Sequence, residues 1–240
     1  MTKKILISLP VYNEDRLLKR AVHSILEQTH KNFSLIIVND NSSDNSLKEA
    51  NKFLYDPRVR VISNEKNKGC FYSKNLGIRF METEDYDIYT THDADDFSQP
   101  TRFEEAVFAF EKDSNVMGVQ DLEIRIGNPP PVWYNPPFTP MPNLAHAFFR
   151  SSVFKHMGYF DNTDFSGDEE YWHRLNAYCV KNGYYTNTIE KVLYYAEVTD
   201  DNMILKYDDN LRQTYRKIFC QKTKNMSNNN SFYKPFFEKQ

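Results

Sequence analysis

Glycine is scarce in this chain. There are 7 in 240 residues, and the first is Gly69. A dinucleotide fingerprint or a P-loop needs glycines in the turn after the first strand, because the backbone there must approach phosphate closely. Both are excluded, so a bound diphosphate would have to be neutralised by side chains and a cation. Long apolar runs are missing as well. No segment approaches the roughly 20 residues that span a bilayer. The first apolar run is broken by Pro10, so no signal peptide is expected; peripheral contact with a membrane stays open. Cysteine is limited to Cys70, Cys179 and Cys220. Three scattered thiols make neither a disulfide framework nor a metal knuckle, and they fit a reducing cytoplasm. Net charge is −3 with no basic stripe, which argues against nucleic acid as the main partner. The length suits one or two domains. We expect one domain over residues 1–221 and a C-terminal tail over 222–240, with 222–231 rich in Lys, Asn and Ser and mobile. The tail's 232–237 segment is unusually aromatic.

What is present is an alternation. Apolar runs at residues 4–9, 33–38, 59–62 and 88–91 are short and rich in Ile, Val, Leu or Tyr, and each reads as a buried strand. Between them, Leu17, Leu18, Ala21, Val22, Ile25 and Leu26 repeat at helical spacing. Leu47, Ala50, Phe53 and Leu54 do the same after Asp44, a helix N-cap by residue type. Residues 71–81 and 103–110 complete the series. Strand-helix alternation predicts a parallel sheet with right-handed crossovers. In such sheets ligands bind at the carboxyl ends of the strands, and here every polar cluster falls at such an end. The densest is Asp93-Ala94-Asp95-Asp96. Three carboxylates in four residues repel one another unless water, a hydrogen-bond network or a divalent cation relieves them, and hard oxygens of this kind suit Mg²⁺ or Mn²⁺. The plain alternative is an acidic loop ahead of the next helix.

Taken in order, Pro10-Val11-Tyr12-Asn13-Glu14, Asn39-Asp40-Asn41-Ser42-Ser43-Asp44, Asn67-Lys68-Gly69 leading to Lys74-Asn75-Leu76-Gly77, and Asp93-Ala94-Asp95-Asp96 resemble the family 2 glycosyltransferases of the GT-A fold. Downstream, Ala145-His146-Ala147-Phe148-Phe149-Arg150, Gly158-Tyr159-Phe160-Asp161 and Gly167-Asp168-Glu169-Glu170-Tyr171-Trp172-His173-Arg174-Leu175 continue the resemblance, which covers about residues 4–200. It implies an α/β fold of GT-A type, with a mostly parallel central sheet flanked by helices. Residues 1–100 would form a nucleotide-binding half and 101–221 an acceptor and catalytic half. It also implies an inverting, metal-dependent transferase that moves a sugar from a nucleoside-diphosphate donor, a UDP-sugar by the family pattern, to a hydroxyl of a glycan or other acceptor.

Carried over residue by residue, the resemblance gives Asp40 to the base of the nucleotide, Pro10 and Tyr12 to the walls of its pocket, and Lys74 to its charge. Lys74 stands where an arginine is usual, which exchanges a bidentate fork for a point charge. Asp93 would meet the ribose or a metal-bound water, and Asp95 would ligate Mn²⁺ or Mg²⁺ directly. Asp96 and Asn13 would support the donor sugar. Asp168, six residues before Arg174, takes the position of the catalytic base, with Glu169 and Glu170 as rivals. The family's histidine after the last core strand is absent, and Glu197 or Asp200 is the available substitute. The Gln-x-x-Arg-Trp motif of processive synthases is absent too.

Seven of the 11 prolines lie between Pro129 and Pro142, a composition that neither a helix nor a central strand can hold. Extended geometry is expected there, with Trp133 and Tyr134 offered to the acceptor sugar and His146 and Trp172 as further acceptor candidates. Two other functions stay open. A sugar-phosphate nucleotidyltransferase shares the layout but wants a glycine-rich first loop. A catalytically silent nucleotide-sugar-binding protein would fit the missing histidine and Lys74.

Overall fold

A computed structural model describes residues 2–127, 138–199 and 209–229. Its elements run β1 (Ile5–Val11), α1 (Leu18–Leu26), β2 (Phe33–Asn39), α2 (Ser46–Asn51), β3 (Val59–Ser63), α3 (Cys70–Met81), β4 (Ile88–Thr91), β5 (Phe97–Ser98), α4 (Arg102–Lys112), β6 (Val116–Ile126), β7 (Met141–Pro142), β8 (Phe148–Arg150), α5 (Ser152–Met157), α6 (Gly167–Asn182), β9 (Tyr185–Glu197) and α7 (Asp209–Asn229). The four apolar runs become β1 to β4. They pair in parallel in the spatial order β3-β2-β1-β4. Strand β1 continues past Pro10 because β4 pairs only with Ile5 to Ser8, so the proline lies beyond that ladder.

Both faces of β1 are covered, which is why its sequence is apolar throughout rather than alternating. Ile5, Ile7 and Leu9 pack with Leu18, Val22 and Ile25 of α1 and Phe103 of α4. Leu6 packs on the other face with Ile78 of α3 and Trp172 and Leu175 of α6. Helix α3 comes unusually near the sheet. A Cβ added at Gly77 would stand 2.7 Å from Ser8 Cβ, so only glycine permits this approach.

Beyond β4 the strands no longer all run parallel. Strand β8 lies antiparallel between β4 and β6, β9 is parallel to β6, and β5 is antiparallel to β9. The second half of the sheet is therefore mixed. Its strands come from short or interrupted apolar runs, β6 alternates polar with apolar residues only from Asp121 onward and β9 mixes them irregularly, so residue pattern alone did not fix their direction. The tail expectation changes too. Helix α7 crosses residue 221 and runs to Asn229, so residues 222–229 are helical rather than coil. Phe219, 1% exposed, and Tyr215 anchor α7, which also sends Arg216 to Glu169 of α6 at 2.8 Å. Trp133, Tyr134, Asp200 and the 232–237 aromatics lie outside the described residues. No helix among those described is long and apolar enough to cross a membrane.

Candidate active site

The carboxyl ends of β1, β2 and β4 open onto a cavity of about 820 Å³, closed on its other side by residues of β6 and the end of β9. That size suits a small-molecule site. Pro10, Tyr12, Asn13, Asp40, Asp93, Asp95, Asp96 and His146 all line it, so eight of the residues singled out from sequence converge. Two asparagines make the loops possible. Asn13 and Asn41 hold φ of 55° and 62°, a left-handed conformation that asparagine tolerates better than most side chains. Asn13 Oδ1 accepts the Ser43 N–H at 2.8 Å and ties the β1 loop to the β2 loop. Tyr12 stands half exposed at the rim.

Asp40 is buried. Its Oδ1 accepts from Asn64 Nδ2 at 2.6 Å and the Lys68 N–H at 2.9 Å, and its Oδ2 accepts the Gly69 N–H at 2.8 Å. The carboxylate therefore fixes the turn into α3 and does not cap α2. Asp44 stands one residue ahead of the N-cap Asn45 and accepts the Ser46 N–H at 2.9 Å. Oδ2 keeps a second lone pair for a donor in the cavity. Cys70, which no spacing signal marked, also lines the cavity; burial pushes its thiol up to about 12, so it is a neutral wall residue.

The acidic cluster is unevenly charged. Burial opposes ionisation of Asp93, but the Lys74 charge outweighs it, with the His146 ring adding to it when protonated, and the carboxyl is held well below the usual range. Lys74 Nζ lies 3.6 Å from Asp93 Oδ1 and His146 Nε2 lies 3.1 Å from Asp93 Oδ2. Burial pushes Asp95 up to about 7, with the Asp93 and Glu14 charges adding to it. Burial raises Asp96 well above its ordinary value, again with Asp95 and Asp93 contributing. Three neighbouring carboxylates thus lack the counter-charge to ionise together. Ligand atoms of Asp93, Asp96 and His146 come within 4.8 Å of one another, an O,O,N set that fits a divalent cation. Asp95, expected as the direct ligand, lines the cavity outside this trio; its carbonyl accepts from Arg20 Nη2 at 2.5 Å. Glu197, a candidate for the absent histidine's place, is engaged by Arg20 Nη1 at 2.9 Å, while its N–H donates to Asp96 Oδ1 at 2.8 Å.

Lys74 is buried at the start of α3. Burial works against its charge, yet the carboxylates of Asp93 and Asp168 hold its pKa above the ordinary lysine value. Asp168 is not a lining residue; its neighbour Gly167 packs on Phe71, next to the lining residue Cys70. Ser166, at φ 54°, turns the chain sharply into α6, and Gly167 sits where a Cβ would meet the Phe71 ring at 2.9 Å. The rivals of Asp168 are committed elsewhere. Glu169 binds Arg216, and Glu170 is buried against Arg174 at 2.8 Å. Asp168 accepts the Glu169 N–H at 2.8 Å and makes no ion pair among the described residues.

The model of Glycosyl transferase family 2 matches residues 7–179, most of the chain. The chain belongs to this family. A 126-residue stretch is 37% identical to an uncharacterized glycosyltransferase of Rickettsia conorii, covering 51% of this chain and 20% of that protein. Another of 105 residues is 35% identical to glycosyltransferase GlyG of Streptococcus pneumoniae, covering 43% of this chain and 34% of the relative. The matched region is thus a fifth to a third of those proteins' length. A glycosyltransferase of Methanocaldococcus jannaschii, also uncharacterized, matches at 25% identity over 96% of this chain and 84% of its own. Among solved structures, S. aureus TarS with UDP-GlcNAc superposes with a TM-score of 0.67 at 15% identity, over 85% of this chain and 61% of that one. The mannosyltransferase of Pyrobaculum calidifontis with GDP-Man and Mn²⁺ gives 0.64 at 17% identity, over 84% and 59%. The fold is GT-A.

Within this family 2 chain, one expected site residue falls elsewhere. Trp172, an acceptor candidate, is 6% exposed and packs against Phe149 and over Gly118 in the interior, because the helix face that carries it is the one α6 buries. Other cavity residues were missed. Glu123 and Arg125 of β6 line the cavity, and Arg20 braces the acidic loop from α1. Glu123 and Arg125 share β6 with Asp121, and Arg20 follows Lys19 in α1; such charges also mark an ordinary solvent-facing surface, so no local pattern announced them.

Proposed function

We propose that the chain is an inverting, metal-dependent transferase that takes a sugar from a nucleoside-diphosphate donor, with UDP as the preferred nucleotide, and passes it to a hydroxyl of a glycan or other acceptor. The carrying observation is one cavity that gathers the buried carboxylate of Asp40 and an under-neutralised acidic cluster, with Lys74 in ion-pair range of Asp93. Related folds have been seen with UDP-GlcNAc and with GDP-Man, which supports the donor class and leaves the base to be decided by Asp40 Oδ2. A bound Mn²⁺ or Mg²⁺ would supply Lewis-acid stabilisation of the departing diphosphate. Lys74 adds a fixed positive charge on the same side. Pro10 and Tyr12 wall the nucleotide, and Asp96 and Asn13 support the donor sugar. Asp168 takes the proton of the acceptor hydroxyl as its oxygen attacks the anomeric carbon from the face opposite the diphosphate, which inverts the configuration.

Calorimetry with UDP and GDP, with and without Mn²⁺, tests this reading. Tighter binding of UDP in the presence of metal is expected. Equal affinity under both conditions, or no binding of either nucleotide, would remove the metal and donor assignments.

A pH dependence follows from the acidic cluster. Asp95 and Asp96 bind their protons more tightly folded than unfolded, so the folded protein holds more protons above about pH 4. Stability of the metal-free protein should then fall as pH rises from about 4 toward 7 through these groups. A cation relieves the same repulsion. The rise in melting temperature on adding Mn²⁺ with UDP should therefore be larger at pH 8 than at pH 5. A pH-independent increment would contradict the charge deficit.

A further inference from the structure

We infer that His146 is a cation ligand through Nε2, and that the buried chain Arg102–Asp121–Asn143 holds its ring in the tautomer that makes it one. This rests on the metal-dependent reading above. The decisive atom is Nε2 itself. His146 is 3% exposed, and Nε2 is buried without a hydrogen-bond partner although Asp93 Oδ2 lies 3.1 Å away.

The rest of the ring explains why. Asp121 Oδ1 accepts from Asn143 Nδ2 at 3.0 Å. The amide nitrogen of Asn143 is thereby turned toward Asp121, and its Oδ1 must face the other way. That oxygen accepts the His146 N–H at 3.2 Å and lies 3.1 Å from His146 Nδ1. An amide oxygen only accepts, so Nδ1 carries the proton. In the neutral ring Nε2 is then a bare lone pair aimed at a carboxylate, two acceptors face to face. Asp121 is held in turn by Arg102, which also donates to the His146 carbonyl at 2.6 Å. The ring stacks on Tyr194 at 4.4 Å and 17°, which fixes its plane. A ring whose far nitrogen donates to an oriented acceptor is the arrangement seen in metal-bound histidines.

A doubly protonated ring would satisfy Asp93 but leave Asp96 aside; a cation uses all three groups. His92 is no rival, since its ring nitrogens already meet the Asp93 carbonyl at 2.8 Å and Ser98 Oγ at 3.0 Å. An imidazole nitrogen shifts preference toward first-row transition ions, so the site should favour Mn²⁺ over Mg²⁺.

The test is electron spin echo envelope modulation of Mn²⁺ bound to the full chain with UDP. Modulation from a directly bound nitrogen is expected, and ¹⁵N labelling of histidine alone should change its isotope pattern; nucleotide nitrogens would not respond. His146→Gln should abolish the modulation, weaken Mn²⁺ at least about tenfold and weaken Mg²⁺ less. The labelled wild-type spectrum decides the matter even if that variant does not fold. Bound Mn²⁺ with no histidine nitrogen overturns the inference alone. Failure of Mn²⁺ to bind with UDP or GDP overturns it together with the metal-dependent reading.

Discussion

Asp168→Asn should lower sugar transfer by about 10²–10⁴-fold, the usual worth of a positioned general base, while metal-dependent nucleotide affinity stays within a factor of about two of the wild type. The substitution keeps size and hydrogen-bonding shape and removes basicity. Its neighbours serve as controls because their partners differ. Glu169→Gln gives up a surface pair with Arg216, and exposed pairs contribute about 0–1 kcal/mol, so both transfer and stability should change little. Glu170→Gln weakens a buried pair with Arg174, so its effect should appear in denaturation midpoints before it appears in turnover. Single-turnover transfer with saturating donor separates the three. Loss of transfer in the Glu169 variant with Asp168→Asn unaffected would move the base by one residue along α6.

How far the sequence carried this site depends on what kind of signal each residue left. Asp40, Asp93, Asp95 and Asp96 follow apolar runs that could only be buried strands, so their place at one edge of the sheet was legible from alternation alone. Asp168 was marked by the family spacing, six residues before Arg174, and the acidic triplet that opens α6 was legible. The triplet's division of labour was not, since Arg174 and Arg216 lie 4 and 47 residues from their partners. His146 was noticed as a residue near the acceptor; its meeting with Asp93 depends on β8 inserting antiparallel between β4 and β6, and strand direction leaves no mark in composition. Trp172 misled for the opposite reason. An aromatic near a catalytic helix end reads as a sugar platform, but the same residue type fills cores, and only the position of Gly118 beneath it shows which use applies.

Arg102 and Asp121 set up the second large effect. Both side chains are 0% exposed, and Arg102 Nε donates to Asp121 Oδ2. The guanidinium also lies 4.7 Å from the ring centroids of both Phe148 and Tyr194. One ion pair therefore joins the first turn of α4, strand β6, the loop before β8 and, through Tyr194, strand β9. Removing one member of such a pair leaves a buried charge with no counter-ion, which costs about 3–5 kcal/mol. Asp121→Ala should be destabilised by that amount in urea denaturation, enough to threaten a domain of ordinary stability. Replacing both partners, Arg102→Met with Asp121→Leu, removes the stranded charge and should recover much of the loss, since apolar pairs of similar volume often substitute for buried ion pairs. The double variant should nevertheless bind Mn²⁺ with UDP more weakly than wild type, because Asn143 loses the acceptor that orients its amide toward His146. Full recovery of both stability and metal affinity would mean that the pair fills space without orienting anything. Recovery of stability alone would mark Arg102 and Asp121 as residues kept for the site at a cost to the fold.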